Sequence, residues 1–435
     1  MNKFDFIVIG GGICGFEIGA LLSRHGKVLL LEKSSKIGGR ARVIKKDGFL
    51  LDYGPHPVRF GPKSALGQTC EDAGFSVDFI KPGLMYAFMA DGKQHIFPSG
   101  SPAAILKTKM VSKLKLAKLL LRVKRYSEEE LKDLYTMSLQ EFYEEQNIDP
   151  GIQQYLNMVS ASMMVNPFPE KSSIGALFEN VLEVLRKGSV YYPRGGWTSF
   201  FEGFQKTIED NGGEIRVGTE VSKILVKDGK AVGVETKDGP IEAGCIVNTI
   251  PIQHLFTILD KNLVDPEFAE LCETLAPTAG VSIDFALKKP ISDIDGIFFF
   301  EDPPGFGFIP TNLSPDIAPE GKSLISVFAP TDVEVIEKKE TARALRDKLR
   351  AATIQAFPTI EDNLLFEHVL FFPMVDGVQI TTKQHPDYRP RYQTAPVIDN
   401  LFLTGDSTGG EGAGGDIGHT SVRGCFELIK QTHDL

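Results

Sequence analysis

The sequence predicts an α/β fold in which a Rossmann-like parallel-sheet domain is joined to an α+β domain with a mixed or antiparallel sheet and a helical lid. Three observations carry that prediction. A buried strand from Phe4 to Ile9 runs into Gly10-x-Gly12-x-x-Gly15 and then into a helical pattern. Between residues 280 and 372 the strand-like runs "GVSIDFALK", "GIFFFE", "FGFIP", "SLISVFAP" and "LLFEHVLFF" carry a single long helical pattern among them. At 435 residues the chain also exceeds what one hydrophobic core organises, so two or three domains are expected.

The first loop assigns each glycine a duty. Gly10 permits a tight turn, Gly12 lets the backbone approach a pyrophosphate, and Gly15 lets helix and strand pack closely. Free N–H groups at the helix N-terminus would receive the phosphate. The helix is expected from Phe16 to His25, with Ile18, Leu21 and Leu22 at core spacing. A second apolar strand, in "KVLLLEK", ends at Glu32 and Lys33, where a ribose-binding carboxylate belongs. GxGxxG alone is a weak signal, but strand, loop, helix, strand and acid in this order form a strong one.

Composition removes several classes of function. A formal net charge of -10 argues against a nucleic-acid partner. The five cysteines have no metal-ligand spacing and suggest no disulfide framework, which fits a reducing compartment. No run of roughly 18 uncharged apolar residues occurs, so a cytoplasmic protein, in peripheral contact with a membrane at most, is expected.

After Glu32 a dinucleotide fold would ordinarily continue into a crossover helix. This chain instead carries Gly38-Gly39-Arg40, hairpin-like strands and Asp52-Tyr53-Gly54. With the first loop, these residues resemble the FAD-dependent amine oxidase and phytoene desaturase superfamily, closest in pattern to phytoene desaturases and carotenoid or retinol saturases. The resemblance implies FAD as the bound dinucleotide, held by Gly10, Gly12, Gly15, Glu32, Lys33, Gly39, Arg40 and Pro55. Arg40 would offer its planar donor fork to the diphosphate.

Residues 79–190 read as a helical lid. Residues 191–252 return to the cofactor domain through a helix from Thr198, a hairpin turned at Asp228-Gly229 and a closing strand from Cys245 to Thr249. By the resemblance, Val221 pairs its backbone with adenine. Residues 253–391 form the substrate-domain sheet. The FAD-binding domain is thus assembled from 1–78, 191–252 and 392–435.

Within the lid, Lys107 to Arg125 holds eight basic residues and no acid. One reading is a surface helix against anionic lipid, with Met110, Val111, Leu114 and Leu121 entering the interface. The other is a helix whose Met110, Leu114, Ala117 and Leu121 stripe packs inward while its lysines face water.

The C-terminal "LTGDSTGGEGAGGDIGHT" completes the pattern. The resemblance places Gly405 and Asp406 near the diphosphate and ribityl chain, and Gly415, Asp416 and Ile417 near the pyrimidine side of the flavin. The turn "GPHPVRF", with His56 and Arg59, and the strand "GVSIDFALK" would approach the ring from other sides. Two departures bear on the reaction: Asp416 stands where amine oxidases place an aromatic, and "TAGVSIDFAL" lacks their lysine. Both weaken amine oxidation and favour desaturation or saturation of an apolar substrate by hydride transfer between a carbon and flavin N5. Asp416, His419 and His56 are the candidate proton carriers; each also has a structural reading, as helix cap, helix-backbone partner and turn former. The rivals are an amine or porphyrinogen-type oxidase, and a non-enzymatic binder like the Rab escort and GDP-dissociation-inhibitor proteins. Gly15, Glu32, Arg40 and Asp406, all present, argue against the binder.

Overall fold

A computed structural model describes residues 4–99, 102–188, 190–389 and 398–435, so the expected boundary between 391 and 392 lies outside the described residues. Its first sheet has seven strands, ordered Glu214–Arg216, Val28–Leu31, Phe4–Ile9, Gly239–Asn248, Lys230–Thr236 and Val221–Lys227, with Leu401–Leu403 also paired to Gly239–Asn248. Phe4–Ile9 is central and parallel to both neighbours, Ile7 standing beside Leu29 and Ile246. A parallel strand covered on both faces must be apolar on both, and only Asp5 of this strand is exposed.

The first helix is Ile13–Ser23, three residues earlier than the periodicity predicts. It starts inside the glycine motif because Gly12, in extended backbone, is its N-cap. Together with Thr198–Asp210 and the last helix, Gly415–His433, it covers one face of the sheet, joining Phe16, Phe204 and Ile429 to Val8 and Phe402. The Asp228-Gly229 hairpin forms as expected, with both residues at positive φ, 51° and 76°.

The second sheet also has seven strands, ordered Leu364–Phe372, Ala279–Leu287, Ser323–Thr331, Gly305–Phe308, Phe298–Phe300, Tyr86–Phe88 and Gln94–Ile96. Its pairs are antiparallel except Phe298–Phe300 with Tyr86–Phe88, so the sheet is mixed. The last two strands come from the stretch expected to be wholly helical lid. At three residues each they are too short to show a period of two. One face of this sheet packs Phe285, Phe298 and Val327 against Leu349 and Phe357, at the long helix Lys339–Ala356. The other face turns Phe299, Phe306 and Phe328 toward the lid.

The lid helices include Lys113–Val123, Pro150–Met163 and Ile174–Lys187. The expected inward stripe of the basic segment is corrected: Leu116, Leu119 and Val123 are buried, whereas Leu114 and Leu121 are 67% and 57% exposed. Ala117 is exposed too, Met110 is half-buried, and Val111 is buried rather than free to enter an interface. Among the described residues no helix is long and apolar enough to cross a membrane, and no group of His, Cys, Asp and Glu could hold a metal ion.

Candidate active site

One cavity of about 650 Å³ runs from the first glycine loop to the lid and the second sheet. All the expected site residues line it except Val221 and Ile417. Val221 is buried at the start of the outermost strand of its sheet, and the Ile417 side chain points into the core. The expected flanking strand Ala279–Leu287 does not line it either; it lies buried mid-sheet, and Phe299, Phe306 and Phe328 of neighbouring strands reach the cavity instead.

The glycines form a cradle that side chains would fill. A Cβ on Gly15 would sit 1.9 Å from the Gly10 carbonyl oxygen, so helix and strand could not keep their spacing. Around Gly12 nothing lies within 4 Å of such an atom; the space there is open cavity. The second glycine pair braces the loop, the Gly38 N–H donating to Gly11 O at 2.8 Å. Glu32 accepts from the Gly11 and Ser34 N–H groups, both at 2.7 Å.

Arg40 and Asp406, far apart in sequence, meet as a bidentate pair, with Arg40 Nη1 and Nη2 at 2.5 and 2.6 Å from the two carboxylate oxygens. Arg40 also donates to Val375 O, and the Gly377 N–H donates to Asp406. Burial works against the Asp406 charge, but Arg40 and these hydrogen bonds hold its carboxyl below the ordinary range. Beside them burial and the Asp406 charge push Asp376 up to about 7, against the opposing pull of Arg40. An open glycine cradle, a carboxylate at the end of the second strand and a fixed guanidinium suit the phosphates and ribose of FAD.

Further along the cavity, Arg59 Nη1 lies 2.9 Å from Asp416 Oδ2 and donates to Asn180 Oδ1 at the same distance. The ion pair is not aligned for hydrogen bonding, and Asp416 Oδ2 and Arg59 Nη2, both sealed among protein atoms, have no hydrogen-bond partner among the described residues. Burial raises the Asp416 pKa, and Arg59 opposes it. Asp416 does not cap the last helix, because Gly414 occupies that position.

His419 has a partner that sequence reasoning missed. Its Nδ1 is 2.6 Å from Oε1 of the fully buried Glu17. Burial would lower the His419 pKa, but the carboxylates of Glu17, Asp416 and Asp406 raise it above the ordinary histidine value. His56 Nδ1 lies 2.7 Å from the Gly54 carbonyl; a carbonyl only accepts, so Nδ1 carries the proton. Burial lowers the His56 pKa, and Nε2 is left as an acceptor. Trp197 packs near both histidines, its ring centroid 5.2 Å from that of His56 and 6.4 Å from that of His419. The one signal for Glu17 was a lone acid in the apolar run "ICGFEIGALL"; Asp376 gave none.

The lid end of the cavity is apolar. Phe97, Phe299, Phe306, Phe328, Met163 and Val181 line it.

The model of the flavin-containing amine oxidoreductase family matches residues 20–425. A phytoene desaturase of Cercospora nicotianae is 25% identical over 78% of this chain, which spans 62% of that protein's length. A zeta-carotene-forming phytoene desaturase of Myxococcus xanthus is 22% identical over 92% of this chain and 89% of its own. The crystal structure of an oxidoreductase from Methanosarcina mazei superposes with a TM-score of 0.81 at 21% identity, covering 97% of this chain and all of that one.

Proposed function

Because this chain belongs to the flavin-containing amine oxidoreductase family and is an FAD-dependent oxidoreductase, we propose that it desaturates or saturates a carbon–carbon bond of a hydrophobic, isoprenoid or polyene small molecule. The observation that carries this reading is the chamber beyond the glycine cradle, walled by phenylalanine, methionine and valine. Such walls bind an apolar chain by removing its surface from water. They also keep water from the reacting carbon. When bound, FAD supplies the hydride acceptor or donor at N5. Asp416, which lines the chamber, holds or moves the accompanying proton at Oδ1, since Oδ2 is sealed among protein atoms beside Arg59. His56 Nε2 is a second acceptor, and His419, tied to Glu17, holds its proton more tightly than an ordinary histidine. A second redox partner, an acceptor for desaturation or a donor for saturation, completes turnover.

Relatives named phytoene desaturase support this reading over amine or porphyrinogen oxidation, as does Asp416 at the position of an amine-caging aromatic. The exposed Leu114 and Leu121, set among lysines, support peripheral contact of residues 107–125 with an anionic membrane that holds the substrate.

The test is the anaerobic response of the bound flavin to polyenes, amines and porphyrinogens. Polyenes are expected to change its oxidation state, and Asp416→Asn to slow that change by about 100-fold or more with the flavin retained. Rapid bleaching by an amine with no response to any polyene would reverse the ranking.

A further inference from the structure

Resting on the apolar-substrate reading, we propose that Tyr155 is a specificity-determining residue and that the substrate is not a pure hydrocarbon but an apolar chain bearing one hydrogen-bonding oxygen, an alcohol or a carbonyl. Tyr155 lies on the lid helix Pro150–Met163 and is 7% exposed. Its ring is held by Phe97, centroids 5.3 Å apart, and Phe97 in turn stacks on Phe299 of the second sheet at 4.1 Å. The phenol is therefore fixed from both the lid and the sheet.

Its hydroxyl is hydrogen-bonded by no described residue, yet it is not sealed among protein atoms. Since Tyr155 lines the cavity, the open direction is the chamber. Ser162, the next hydroxyl along this helix to line the chamber, returns its proton to Met158 O at 2.9 Å and asks nothing of an occupant. Burial pushes the Tyr155 phenol up to about 12, so it remains a donor at neutral pH. A buried hydroxyl without a partner is costly, and among phenylalanine, valine and methionine walls the occupant must supply the acceptor. A site built this way rejects the analogue that lacks the oxygen, because its own polar group is then left unpaired.

The experiment is a spectral titration of the flavin-loaded protein with a conjugated polyene alcohol and with the hydrocarbon lacking only that hydroxyl. The alcohol should bind about 10-fold tighter. Tyr155→Phe should abolish the difference while the visible flavin spectrum and the hydrocarbon affinity stay as in the parent. Equal affinities in the parent, or a preference that survives in Tyr155→Phe, would overturn the assignment. If neither compound binds, the apolar-substrate reading itself falls and takes this one with it.

Discussion

Glu17 and His419 are a buried ion pair between the first and last helices, 402 residues apart in sequence and 2.6 Å apart in space. Each would be costly alone. With His419 held above its ordinary 6.5, the folded protein binds the proton more tightly than the unfolded chain. The stability this contributes is therefore fully present below about 6.5 and is lost as pH rises through the folded-state value. Glu17→Gln should flatten the loss of thermal stability as pH rises above about 6.5, and an unaltered profile would show that Glu17 does not set the His419 proton. His419→Ala, which leaves a carboxylate buried without its partner, should cost about 3–5 kcal/mol in denaturant unfolding at neutral pH.

At the scale of elements, the helix Lys113–Val123 shows how far periodicity reaches. Leu114, Ala117 and Leu121 share the same three-and-four spacing as Leu116, Leu119 and Val123, so "KLKLAKLLLRV" holds two equivalent apolar stripes. Only docking onto the rest of the lid selects the second. Leu116→Ala should then cost about 2–5 kcal/mol. The double variant Leu114→Ser and Leu121→Ser should change stability by no more than about 0.5 kcal/mol per site. That variant should lose co-sedimentation with vesicles of anionic lipid; if the parent protein does not sediment with them, membrane contact through this helix is excluded. The short strands Tyr86–Phe88 and Gln94–Ile96 make the complementary point, since they exist only because a sheet edge receives them.

For the whole molecule, the cavity is common property. The first sheet's loops supply the cradle, the C-terminal segment supplies Asp406 and Asp416, and the lid and second sheet supply the apolar walls. Folding and cofactor binding should therefore separate at the glycines. Gly12→Ala, whose methyl would enter open cavity, should fold with nearly unchanged thermal stability of the apoprotein but lose visible flavin absorbance. Gly15→Ala, whose methyl meets the Gly10 carbonyl, should lose both. Added FAD at about 100 times its Kd should stabilise the parent by about 2.7 kcal/mol and leave Gly12→Ala unmoved. A yellow Gly12→Ala protein would contradict the cradle.

The sequence by itself determined the dinucleotide loop, the acid that follows it, the Asp228-Gly229 hairpin and the kinship of the C-terminal glycine segment. Each rests on local chemistry: a turn that needs positive φ, a backbone that must come close, a strand buried on both faces. The tertiary structure alone decided which lid stripe faces inward, which strands of the second sheet reach the cavity, that Arg40 grips Asp406, that Glu17 pairs with His419 and that Asp376 lines the cavity. Those facts depend on which distant surfaces meet, and neither hydrophobic period nor motif spacing records such a meeting. A carboxylate becomes a functional group here because of what is folded against it.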